Sequence, residues 1–162
     1  MPRVYLALGS NMGDRLAELS AAVASLESLG QEIRVSGLYE TAPVGGPPGQ
    51  GAYLNCVVSL STSATPRLLL ELAQRLEQEA GRVRTVRNGP RPLDVDILLY
   101  DDLVMDEPDL VIPHPRMYER AFVLAPLEEL APELVPDNWR ERLGRGAVGE
   151  EVLRRVGRIE SS

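Results

Sequence analysis

Apolar residues in this chain recur at two spacings, and the order in which those spacings alternate is what most restricts the fold. Alternation at every second residue marks a strand with one face buried. Recurrence at every third or fourth marks a helix with one apolar side. Residues 3–8 have strand spacing, and Gly9-Ser10-Asn11-Met12-Gly13 has turn chemistry. A helix is predicted from Asp14, with Leu16, Leu19, Val23, Leu26 and Leu29 on one face and Gly30 as its stop. Residues 33–39 and 53–60 are predicted as the second and third strands. Between them, residues 42–51 hold four glycines and three prolines and form a loop. Thr65 caps a second helix with Pro66 in its first turn; it buries Leu69, Leu72 and Leu76 and ends near Gly81. Residues 93–100 are a fourth strand. The order β-α-β-β-α-β predicts an α+β, ferredoxin-like fold, an antiparallel sheet with both helices on one face.

An additional C-terminal part follows. A hairpin turning at Asp101-Asp102 is predicted, with strands over residues 103–105 and 110–112. Then come a helix over 121–130 ended by Pro132, a last helix over 148–156 and a frayed tail from 159 to 162. No repeat or linker interrupts residues 1–162, so a single domain is expected.

Net charge is -7, which disfavours general binding to nucleic acid or to anionic membranes. The apolar start at residues 4–8 is too short for a signal peptide or a membrane span. Cys56 is the only cysteine, so no internal disulfide can form, and a cytoplasmic protein is expected. A monomer is expected, although no heptad or large apolar surface stripe is visible from which the oligomeric state could be read. All 17 basic residues are arginine. Mechanisms that need a lysine, such as a P-loop or a Schiff base, are therefore excluded. Any phosphate chemistry falls to arginine, whose planar fork pairs bidentately with phosphate oxygens.

The stretch Leu93-Asp94-Val95-Asp96-Ile97-Leu98-Leu99-Tyr100 carries the chemistry. Strand alternation puts Asp94 and Asp96 on one face, with Val95, Ile97 and Leu99 turned into a core. Two neighbouring carboxylates repel, and one tends to protonate unless a cation joins them. Two carboxylates, water and phosphate oxygens are the usual shell of protein-bound magnesium. The plainer alternative is an exposed strand face paired with nearby arginines. Directly before this strand, residues 82–92 carry four arginines and no acid. A basic loop beside an acidic metal site suits a nucleoside triphosphate, whose charge both would offset. Its alternative is a solvated loop paired with surface acids such as Glu77 and Glu79.

Arg87-Asn88-Gly89-Pro90-Arg91-Pro92-Leu93-Asp94-Val95-Asp96-Ile97-Leu98 resembles the signature of the 6-hydroxymethyl-7,8-dihydropterin pyrophosphokinase family. Ala7-Leu8-Gly9-Ser10-Asn11, Tyr39-Glu40-Thr41, Tyr53-Leu54-Asn55, Gln74-Arg75-Leu76-Glu77, Gly81-Arg82-Val83-Arg84, Ile112-Pro113-His114-Pro115 and Arg120-Ala121-Phe122 resemble further family segments in the same order. The resemblance implies transfer of pyrophosphate from ATP to a hydroxymethyl pterin, with release of AMP, in folate biosynthesis. It implies two magnesium ions on Asp94 and Asp96, and Arg82 and Arg91 acting with them in the chemical step. ATP would meet Gln74, Glu77, Arg82, Arg84, Arg91, Ile97, His114 and Arg120. The pterin would meet Thr41, Ala42, Pro43, Val44, Tyr53, Asn55, Asp94 and Phe122, with Tyr53 and Phe122 sandwiching the ring. Taken alone, Tyr53 and Phe122 read as core, and Gln74 and Glu77 as a solvated helix face. The chain departs from the family pattern at Asn88, where relatives often carry an aromatic, and at Pro115.

Three rival functions share parts of this pattern. An RNA-binding domain of the same topology needs aromatics and basic charge on the sheet, where this chain has acids. A regulatory ligand-binding domain has no use for an acid pair beside an arginine loop. A different magnesium-dependent kinase or nucleotidyltransferase differs only in the full series of motifs.

Overall fold

The computed structural model describes residues 1–41, 51–81, 92–146 and 153–159. Five strands form the main sheet in the order β5-β1-β4-β3-β8: β5 is Asp94–Tyr100, β1 Arg3–Ser10, β4 Tyr53–Thr62, β3 Gly37–Thr41 and β8 Arg154–Arg158. A sixth strand, β2 (Gly30–Val35), pairs with the far end of β4, and every pairing is antiparallel. Helices α1 (Arg15–Glu27) and α2 (Pro66–Glu79) follow β1 and β4. This is the ferredoxin-like arrangement, with its second strand divided into β2 and β3.

The division has a local cause. One continuous strand is expected over residues 33–39, but Ser36 interrupts it. Its backbone N–H donates to the Val57 carbonyl, and its Oγ accepts from Val57 N, both at 2.9 Å. A buried hydroxyl thus takes the place of a ladder carbonyl, and β4 continues unbroken past two shorter strands. Glu32, with φ of 53°, marks a second irregularity in β2.

Both helices begin as their sequences predict. Asp14 caps α1 by accepting from Ala17 N at 3.0 Å, and Thr65 caps α2 by accepting from Leu68 N at 3.2 Å. Leu19, Val23 and Leu26 are buried from α1, but Leu16 is 49% exposed and leaves the predicted face. Leu16 lies in the first turn, before the helix closes on the sheet. From α2, Leu69, Ala73 and Leu76 are buried and Leu72 only partly. Val4, Leu6 and Leu8 of β1 and Cys56, Val58 and Leu60 of β4 complete this core.

The opposite sheet face carries a second core, in which Val57, Leu98 and Leu99 meet Met117, Val123 and Leu127. Val123 and Leu127 belong to α3 (Ala121–Leu130), whose bounds match the predicted helix. Leu99 is a correction, because alternation assigns it to the first core. A register shift between Tyr5 and Leu6 places Leu98 as an extra residue, so Leu98 and Leu99 both reach the second core.

A turn at Asp101-Asp102 is present, with Leu103 N donating to Tyr100 O at 2.9 Å, but it only leads out of β5; the hairpin that follows turns at Pro108-Asp109, which corrects the predicted turn. The hairpin's strands are β6 (Met105–Glu107) and β7 (Leu110–Ile112), so the predicted strand at 103–105 starts two residues late. The predicted helix over 148–156 is also corrected at its end, residues 148–152 lying outside the described residues. Residues 154–158 form strand β8 against β3, while a helix α4 (Trp139–Gly146) lies earlier. Ile159, expected to be frayed, packs against the first core. No helix among the described residues is long and apolar enough to cross a membrane.

Candidate active site

The second sheet face, at its β5 end, gathers several of the sequence-predicted residues. Asp96 pairs with Ala7 and Asp94 with Gly9, while Gly9 pairs on its other side with Asn55. Side chains at paired positions share a face, so Asp94, Asp96, Asn55 and Tyr53 project on one side of the sheet. A Cβ built on Gly9 would lie 2.9 Å from Asn55 Oδ1 and 3.7 Å from Tyr53 Cδ1. Glycine is thus what lets the Asn55 amide and the Tyr53 ring close over β1.

Asn55 is buried and held by Nδ2, which donates to Thr41 Oγ1 at 3.2 Å and to Tyr39 O at 3.4 Å. Thr41 is itself buried. A buried amide oriented in this way can address a flat heterocycle with a mixed donor and acceptor edge. Phe122, at the start of α3, is half-buried against the second core, and Arg120 stacks 5.5 Å from its ring centre.

His114 approaches the acids from the segment after β7. Its backbone N–H donates to Leu98 O at 2.9 Å, which fixes the segment along the free edge of β5. Nδ1 accepts from Arg116 N at 3.2 Å, so in the neutral ring the proton rests on Nε2. Nε2 lies 3.9 Å from Asp96 Oδ1. Burial lowers the His114 pKa from its ordinary value. Asp96 pulls the other way, but burial, with Arg120 and Arg116 pushing in the same direction, prevails. At neutral pH, His114 is therefore an uncharged donor directed at the acidic edge.

A cavity of about 270 Å³ adjoins Asp96 and His114. Ile97 lines it, together with Leu70 of α2 and Leu110 and Val111 of β7. Arg67 holds the hairpin over it by pairing with Glu107 and, at 2.7 Å, with Asp109. Leu70 and the hairpin were not legible as site residues, because in sequence they are only apolar positions.

Gln74 is exposed, while Glu77, three residues on, is 8% exposed, which overturns the solvated-face alternative for it. The Glu77 carboxylate accepts from Val95 N at 2.9 Å. Arg82, Arg84 and Arg91, like Ala42, Pro43 and Val44, lie outside the described residues.

Among the described residues no three His, Cys, Asp or Glu cluster as metal ligands. A cation at Asp94 and Asp96 would complete its shell with water and phosphate oxygens, which fits magnesium and not a closed structural metal. Two hard oxygen donors, a neutral imidazole and an apolar cavity on one side, with a buried amide and an aromatic ring on the other, are the equipment of an enzyme that moves a phosphate-derived group.

Comparison with known proteins gives that class its family. Residues 5–132 match the model of the family described as 7,8-dihydro-6-hydroxymethylpterin-pyrophosphokinase. The 2-amino-4-hydroxy-6-hydroxymethyldihydropteridine pyrophosphokinase of Bacillus subtilis is 49% identical over 132 residues, 80% of this chain and 78% of its own length. Its namesake from Pseudomonas aeruginosa is 46% identical over 138 residues, 83% of this chain and 85% of its own. Among solved structures, Plasmodium falciparum HPPK-DHPS with pterin and p-hydroxybenzoate superposes with a TM-score of 0.70 at 15% identity. That likeness is one of fold; it covers 98% of this chain, which spans about half, 48%, of the Plasmodium chain.

The chain belongs to the hydroxymethyldihydropterin pyrophosphokinase family. It is an enzyme of folate biosynthesis that transfers pyrophosphate from ATP to the hydroxymethyl group of 6-hydroxymethyl-7,8-dihydropterin and releases AMP.

Proposed function

We propose that the reaction runs across the second sheet face, where Asp94 and Asp96 would hold two magnesium ions. The observation that carries this reading is the shared face of Asp94, Asp96 and Asn55. It aligns an acidic pair with a buried amide, as a donor must be aligned with its acceptor. When bound, the magnesium ions neutralise the triphosphate and raise the electrophilicity of its β-phosphorus.

The chain's own residues supply position and charge. Asn55 and Thr41 orient the pterin edge, and Tyr53 and Phe122 hold its ring, so the hydroxymethyl oxygen points at the acids. The 42–44 segment, Ala42, Pro43 and Val44, lines the rest of the pterin. The cavity beside Ile97 takes the adenine, where apolar walls suit a flat base. His114 donates from Nε2 to a phosphate oxygen without adding a full charge. Arg82 and Arg91 offset the charge that grows on the bridging and terminal oxygens, assisted by Arg84. Gln74 and Arg120 border the nucleotide. The resemblance of residues 87–98 to the family signature supports the arginine roles, and the chemistry of the acid pair supports the metal. The enzyme acts as a cytoplasmic monomer on small molecules, without nucleic acid or membrane as partner.

Mixing the protein with ATP and hydroxymethyldihydropterin should yield AMP and not ADP. Asp96→Ala should abolish turnover yet change stability by less than about 1 kcal/mol, since Asp96 is a partly exposed acid facing a like charge. Undiminished turnover in EDTA would sink the magnesium reading.

A further inference from the structure

We infer that Glu77 is a positioning residue: it sets the geometry of the acid pair by holding the strand backbone between Asp94 and Asp96. The inference rests on the reading that this pair binds the metal.

Among the described residues strand β5 is at the edge of the sheet, with one of its sides paired, to β1. The backbone groups on its other side have no neighbouring strand and need acceptors or donors from elsewhere. Two such groups are satisfied in the structure. His114 N donates to Leu98 O at 2.9 Å, and Val95 N donates to Glu77 Oε2 at 2.9 Å. Val95 is the residue between the two acids. Its side chain is buried in the first core, and Glu77 is 8% exposed on α2. The strand segment Asp94-Val95-Asp96 is thereby held from three directions: by β1 on one side, by the Val95 side chain beneath and by Glu77 on the free side.

This contact bears on the acids because the chain needs it most there. Two carboxylates on alternate residues repel, and a free edge offers the backbone room to twist them apart. A carboxylate acceptor makes a charge-assisted bond to the amide, stronger than a neutral one. It fixes the peptide that sets the angle between the two side chains. The geometry thus places Glu77 behind the acids, with its effect on substrate passing through them. Supporting groups of this kind typically change metal affinity or activity about 10- to 100-fold when removed.

The test compares Glu77→Leu, which removes the acceptor, with Glu77→Gln, which keeps an oxygen acceptor without the charge. Amide exchange at Val95, followed by NMR, should accelerate in Glu77→Leu and stay slow in Glu77→Gln. Calorimetry with magnesium and a non-hydrolysable ATP analogue should show metal affinity about tenfold weaker in Glu77→Leu, with Glu77→Gln within about threefold of wild type. Binding of ATP measured in EDTA should be the same in all three proteins. Equal loss in both variants, or weaker ATP binding in EDTA, would make Glu77 a direct contact of the nucleotide or the metal and overturn the inference. Wild-type metal affinity in a folded Glu77→Leu protein would overturn it as well. Asp96→Ala serves as the control. If it keeps full metal affinity, the metal reading of the pair has failed; if it loses affinity while Glu77→Leu does not, only the role of Glu77 has failed.

Discussion

Gly9 shows how much a single position can decide. It is the point of β1 where Asn55 and Tyr53 converge, and an added methyl would come within 2.9 Å of Asn55 Oδ1. Asn55 cannot retreat freely, because its Nδ2 is held by Thr41 and by the Tyr39 carbonyl. Gly9→Ala should therefore rotate the amide and weaken the pterin contact proposed for it. The expected result is a pterin KM raised about tenfold with kcat little changed, and a stability loss of about 1–3 kcal/mol from overpacking. Steady-state kinetics with each substrate varied in turn would check this; a rise in the KM for ATP alone would contradict it.

At the scale of elements, Glu129 joins three of them. It lies on α3, accepts from Gly37 N of β3 at 2.9 Å, accepts from the Tyr39 hydroxyl and pairs with Arg155 of β8 at 3.2 Å. Burial opposes its charge, but the bonds from Tyr39, Gly37 and Arg155 prevail and hold its pKa below the ordinary value. Burial, then Glu129, pushes the Tyr39 hydroxyl up to about 12, which keeps it a donor. Because the Glu129 pKa is lowered on folding, its contribution to stability is complete above the unfolded value of about 4.3. That contribution is lost as pH falls through the folded value. Glu129→Ala should cost about 1–3 kcal/mol at pH 7, because it leaves the buried Gly37 N–H without its acceptor. Glu129→Gln should remove part of the acid sensitivity below about pH 4.3, readable as a flatter dependence of Tm on pH.

For the whole molecule, the sheet is a partition. One face is sealed by α1 and α2; the other is sealed by α3 only over its middle, and the site occupies the remainder. The edges are closed differently. At β5 the closure is by side chain and loop, through Glu77 and His114, while at β3 it is by the added strand β8. Arg154 and Arg15 also meet there at Glu40, at 3.0 and 2.9 Å, and Arg15 reaches Ala52 O at 2.9 Å. Arg15 thus ties together the two strands that flank residues 42–50. A chain ending at residue 152 would lose β8 and the Arg154 and Arg155 pairs and leave β3 open. It should melt several degrees lower and associate through the exposed edge, visible as a concentration-dependent shift in sedimentation.

Much of this architecture is written locally. The period of apolar residues, the Asp14 and Thr65 caps and the Asp94/Asp96 alternation each depend on neighbours within a few positions, and the fold and the acid pair follow from them. What sequence order could not supply is pairing between distant residues. The hydroxyl of Ser36 that splits a strand acts only because Val57 is opposite, and the extra residue at Leu98 appears only in register with β1. Residues 154–156, the end of the helix predicted over 148–156, belong instead to strand β8, because β3 offered an unpaired edge. Glu77 read as one polar residue of a helix face; burial against Val95 N turned it toward the acids. Local spacing determined which elements form and which acids share a face. Tertiary structure decided which backbone groups lack a partner, and so which side chains were drawn in to satisfy them.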